Sequence, residues 1–112
     1  MANHQETASR IAELNDEFRL RGIGGSRYIT AGIQAKGPAF MIEVNAAVQA
    51  FNDFNEDNDP YGQHDFGCVT VSGQKVFWKI DYYDQNRMHG SQDPTDLSKT
   101  HRVLTIMFSH EY

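Results

Sequence analysis

The sequence predicts an α+β domain in which two helices pack on one face of a small, largely antiparallel sheet, in the order α–β–α–β–β–β. Three observations carry this prediction. Residues 6–21 and 38–54 repeat apolar side chains at helical spacing. Val69–Val71 and Val76–Tyr83 are β-branched and aromatic runs separated by Ser72-Gly73, a dipeptide suited to a tight hairpin turn. His101–Ser109 sets Leu104, Ile106 and Phe108 against Val103, Thr105 and Met107, the two-residue period of a strand.

The first helix is expected over Glu6–Arg21, with Ile11, Leu14 and Phe18 forming one stripe and Ala8 and Ala12 beside it. Asn3 and Glu6 have capping-box spacing, Arg19 and Arg21 suit the negative end of the helix dipole, and Gly22 can end the helix. The GIGGS run at 22–26 follows a helix and precedes a strand, the reverse of a dinucleotide-binding loop, and lacks the Gly-Lys-Ser/Thr of a phosphate loop. It reads as a connector. Arg27–Ile33 is expected as a strand. Gly37-Pro38 opens the second helix, whose Phe40, Met41, Val44, Ala47, Val48, Phe51 and Phe54 form a stripe broad enough to lie on a sheet.

A two-residue hairpin loop pairs Val71 with Gln74, Val69 with Val76, Gly67 with Trp78 and Asp65 with Ile80. Trp78 then covers backbone where its partner has no side chain. Cys68, Phe66 and His64 meet Phe77, Lys79 and Asp81 on the other face, and opposed Cβ atoms are roughly 4.5–5.5 Å apart, within reach of an ion pair. A three-residue loop would invert the parity, whereas a four-residue loop would keep it. Asp65 shares the core parity, so it is expected to cap a strand end or pair with Arg102. Gln85–Thr100 has no periodicity and carries Gly90-Ser91 and Asp93-Pro94, the marks of a long loop, a kind of segment that is often functional.

With 112 residues, 39% of them hydrophobic, the chain is long enough for one core, a single domain spanning 1–112. No apolar run approaches the ~20 residues of a membrane span. The first ten residues lack the apolar centre of a secretory signal, and one Cys excludes an internal disulfide, so the expected compartment is the cytoplasm. A net charge of −5 disfavours broad binding to nucleic-acid phosphates.

Metal and cofactor signals are incomplete. Asp53, Asn55, Asp57 and Asp59 have calcium-loop spacing, but Asn58 stands where the loop wants Gly and His64 where it wants Glu. His64, Cys68, His89 and His101 show no zinc-ligand spacing, and Cys68 reads as a small hydrophobe in a strand. Neither a metal nor a cofactor is expected.

NDPYGQHDFG, KVFWKIDYYD and HRVLTIMFSHEY, in this order after the ITAGI segment, resemble a family of small bacterial proteins known as a domain of unknown function. The resemblance covers nearly the whole chain. It implies a stand-alone protein often encoded on plasmids or other mobile elements, and through that context interference with a host nuclease or defence system. It transfers no catalytic residue.

Two functions follow as expectations. The first is a non-enzymatic protein that binds another protein or a nucleoprotein complex, with Asp57, Asp59, Tyr61, His64, Lys79, Asp81, Tyr83, Arg87 and His89 as the candidate surface. The second is a small nuclease or toxin-like enzyme acting on RNA or DNA, in which Asp81 orients His64 for general acid–base work and Lys79 stabilises an anion, with Arg102 as a further candidate. The absence of a complete catalytic motif and the acidic balance favour the first.

Overall fold

Two helices and three strands lie where the apolar periodicities put them, and the computed structural model, which describes residues 4–112, adds a third helix and a parallel strand pair. Helix α1 spans His4–Arg21, and Ile11, Leu14 and Phe18 are all buried. The proposed cap at Asn3 lies outside the described residues. The chain turns at Gly22, whose N–H bonds the Phe18 carbonyl at 2.7 Å in a left-handed conformation (φ +76°).

Strand β1 is Gly25–Ile29, shorter than the expected 27–33. After it, Ala31–Gln34 coils into a one-turn helix, α2, that drops Ile33 into the core. Ile29 and Ile33 are four apart, a spacing that suits a helical turn, and alternation alone concealed it. Helix α3, Pro38–Ala50, buries Val44 and Val48 completely.

Strands β2 (Phe66–Val71) and β3 (Gln74–Tyr83) form the hairpin in the two-residue register, Val71 against Gln74 through to Phe66 against Lys79. Ser72 and Gly73 both have positive φ, as a type I′ turn requires. Gly67 lies under the Trp78 ring so closely that a Cβ would overlap it. Trp78 itself is fully buried.

Strand β4 (His101–Phe108) pairs antiparallel with β3 and parallel with β1, giving the order β1-β4-β3-β2. The sheet is therefore mixed. The parallel pair corrects the largely antiparallel expectation at one edge, and its cause is topological: the connection from β1 to β4 passes through α2, α3 and the hairpin. Val76, Trp78, Ile80, Leu104, Ile106 and Phe108 face α1 and α3 and form the core with Phe18, Ile33, Val44 and Val48. No helix among the described residues is long and apolar enough to cross a membrane.

Residues 85–100 are shaped rather than loose. Tyr82 O accepts from Ser91 N, Asp84 N donates to His89 O, and Thr100, 1% exposed, donates its hydroxyl to Asp93 O.

Candidate functional site

The side chains that organise the helix-covered side come first from α1. Asn15 and Arg19 follow Ile11 at four-residue intervals, so both lie on the buried face and not in solvent. Arg19 is 3% exposed. Its Nη1 donates to Val48 O (2.8 Å), Phe51 O (2.7 Å) and Gln49 O (3.3 Å), the carbonyls that end α3, and its Nη2 pairs with Asp16 at 2.9 Å. Its guanidinium also lies 4.9 Å from the Trp78 ring centroid and 5.5 Å from that of Phe54. One buried cation thus ties α1 to the exit of α3.

That exit, residues 51–65, is a self-capped turn. The Asn55 side chain accepts from Asp57 N and Asn58 N, while Asn58 Oδ1 accepts from Asn55 N. These bonds explain the Asn-rich sequence without a cation, and among the described residues no group of three or more His, Cys, Asp or Glu side chains is placed to hold a metal. Asp59 is nearly buried and accepts from His64 N at 3.2 Å. His64 has φ +56°, which turns its ring off the hairpin and towards α1. There Nδ1–H donates to Asp16, 3.0 Å from each oxygen, Nε2 lies 3.7 Å from Asp59, and the ring stacks on Phe54 at 3.8 Å. A cleft of about 730 Å³ opens alongside, lined by Ala8 and Ser9 of α1 and by Phe54, Glu56, Asp59, Pro60 and Tyr61 of the turn. Tyr61 is 81% exposed.

His64 therefore does not pair with Asp81, and the proposed His64–Lys79–Asp81 centre is not assembled. Lys79 and Asp81 lie on the opposite face of the sheet, paired with each other at 2.7 Å, and that contact raises the Lys79 pKa. Tyr83 shares their face. Arg87, with φ +58°, and His89 sit in the 85–100 loop, where His89 lines a second cleft of about 480 Å³ with Asp84, Gln85 and Lys99. The candidate surface thus divides into three: Asp59, Tyr61 and His64 at the large cleft, with Asp57 in the same turn but outside its lining; Lys79, Asp81 and Tyr83 on the open sheet face; and Arg87 and His89 in the loop. Cys68 is exposed on β2 and not packed as a small hydrophobe.

Behind the cleft runs a buried polar chain. Asn15 donates to Tyr82 Oη (2.8 Å) and Gln63 O (2.9 Å), and its Oδ1 accepts from Arg102 Nε at 2.7 Å. Arg102 is fully buried and donates its Nη2 to Pro94 O; its partners are neutral, so the expected pairing with Asp65 is replaced by this network. Burial pushes the Tyr82 hydroxyl up to about 12 and raises the Asp65 carboxyl, with the charges of Asp59 and Asp81 adding to the latter. Asn15, Asp16 and Arg19 were missed from sequence. The available signal was two polar residues on an otherwise apolar helical stripe.

Chemically, the cleft offers carboxylates and aromatic planes. Among the described residues its histidine is His64, with Nδ1 bonded to Asp16, Nε2 3.7 Å from Asp59 and one ring face stacked on Phe54, an arrangement that packs the turn against α1.

Residues 29–111 match a family model described as a protein of unknown function (DUF3768). No curated protein and no solved structure matches the chain.

Proposed function

Because the chain belongs to the DUF3768 family of proteins of unknown function, we propose its role from the site alone: it is a non-enzymatic binding protein whose cleft receives a cationic segment of a protein or nucleoprotein partner. The observation that carries this reading is the acidic and aromatic lining of the cleft, where Glu56, Asp59 and Tyr61 lie beside a His64 whose Nδ1 is bonded to Asp16. Around it stand Glu56 and the exposed Tyr61, an acceptor and an aromatic anchor suited to Lys or Arg side chains. A net charge of −5 would speed encounter with a basic partner. Inhibition of a host nuclease or defence complex is the form of this role that the mobile-element resemblance implies, and basic subunits of such complexes are the first partners to test.

The test is fluorescence anisotropy with labelled Lys/Arg-rich and Asp/Glu-rich peptides of equal length. The cationic peptide should bind, salt should weaken binding, and Glu56→Lys or Tyr61→Ala should each reduce affinity by about tenfold, the effect of ~1.4 kcal/mol. Equal binding of both peptides would sink the proposal. RNA or DNA cleavage by the parent protein, abolished alike by His64→Ala and His64→Gln, would replace it with the nuclease reading.

A further inference from the structure

The sheet face turned away from the helices presents a surface that the cleft does not use. β3 places Phe77, Lys79, Asp81 and Tyr83 along it in alternation, with Phe66 of β2 and Tyr28 of β1 to either side. Tyr28 is 52% exposed, and Phe66 and Phe77 are only partly covered, by the edge-on ring of Tyr112. The three charged side chains on the strands of this face are Lys75, Lys79 and Asp81, a balance of +1 on a chain whose net charge is −5. Most of the acidic surface lies elsewhere.

We propose that this face pairs with the same face of a second copy, β3 lying antiparallel over β3. The argument is self-complementarity. A two-fold axis between the stacked sheets, at the level of Ile80, places Lys79 of one copy over Asp81 of the other, twice by symmetry, and brings Tyr83 towards the Tyr112 ring that stands against Phe66 and Phe77. Sheets stacked face to face sit about 10 Å apart, a gap that these side chains span. The Lys79–Asp81 pair at 2.7 Å within one chain would exchange partners across the interface without stranding either charge. Nucleic acid is a poorer occupant, because the face carries two lysines and one of them is already neutralised. The paired sheets leave the clefts pointing outwards, giving a bivalent particle.

Sedimentation equilibrium over a concentration series, from low micromolar to the solubility limit, tests this directly. The parent should reach twice 12.7 kDa. Lys79→Glu and Asp81→Lys, each confirmed folded by circular dichroism, should stay monomeric at concentrations about tenfold above the parent's dissociation constant, since like charges then face each other. An equimolar mixture of the two variants should recover the dimer, because each supplies the charges the other lacks. A parent that stays monomeric overturns the proposal and leaves the face to a different protein. A dimer that persists in both single variants, or a mixture that fails to associate, overturns it equally.

Discussion

Arg19→Met removes the guanidinium while keeping most of the apolar stem, and it isolates what the buried cation contributes. Val48 O and Phe51 O lie 2.8 and 2.7 Å from Nη1. Both belong to the exit of α3, where the one backbone bond to Val48 O is a long one from Phe51 N, at 3.4 Å. Hydrogen bonds to a charged group contribute about 1.5–3 kcal/mol each. The Gln49 contact at 3.3 Å shares the same nitrogen and is not counted again. Asp16 is more than a third exposed, so solvent screens its loss and the surface-pair value of about 0–1 kcal/mol applies. Methionine restores packing against Trp78 and Phe54, offsetting part of the total. The expected destabilisation is about 3–5 kcal/mol, against ~5–15 kcal/mol for a whole domain. Urea denaturation followed by Trp78 fluorescence reads it as a lower midpoint at an unchanged slope. Replacement of a buried ion pair by apolar side chains is neutral in some proteins. A methionine variant as stable as the parent would place Arg19 among those cases and refute its role as the cap of α3. Arg19→Lys should lie between the two, because a single ammonium cannot reach the carbonyls and Asp16 together as Nη1 and Nη2 do.

Trp78→Ala should cost about 3–5 kcal/mol in thermal unfolding, and Gly67→Ala about 1–3 kcal/mol because its Cβ meets the indole; parent-like melting of either would contradict the packing. Asp65→Asn should stabilise the domain at neutral pH. Burial raises the folded carboxyl above its ordinary 3.8, so the folded chain retains a proton there that the unfolded chain releases, and parent stability falls as pH rises through that window. The gain should vanish below the ordinary value, and a gain independent of pH would exclude titration of Asp65 as its cause. Deleting Gln92–Ser98 with a Gly-Ser bridge, which the sequence suggests the fold tolerates, should instead lower the melting temperature, since it strips Arg102 of Pro94 O and Thr100 of Asp93 O; an unchanged melting curve would show those bonds to be dispensable.

The hairpin was legible to the residue because its determinants are local: Ser72-Gly73 sets the turn, and Gly67 leaves room for Trp78. The parallel pairing of β1 with β4 was not, because Gly25 and Arg102 are brought together by three intervening elements and no short pattern records it. The site failed at one dihedral. The alternation of Phe66, Cys68 and Thr70 extrapolates back to His64, but a positive φ at a non-glycine residue breaks the alternation and sends the ring to the helix side. The expectation of an uncharacterised family agrees with the match over residues 29–111. Which face of α1 mattered most was written in Asn15 and Arg19, two residues whose polarity disguises their burial.

The central position of β4 has a consequence for how the protein comes into being on the ribosome. β1 is the first strand to leave the exit tunnel, but its only neighbour in the sheet is the last strand to follow. Until residues 101–108 emerge, β1 has no ladder to join and the hairpin exposes the edge of β3 that β4 will cover. Pairings between distant segments form slowly and expose unpaired edges while they wait. Assembly of the sheet therefore waits for residues 101–108, and a fragment stopping at Thr100 should show no cooperative unfolding transition by circular dichroism.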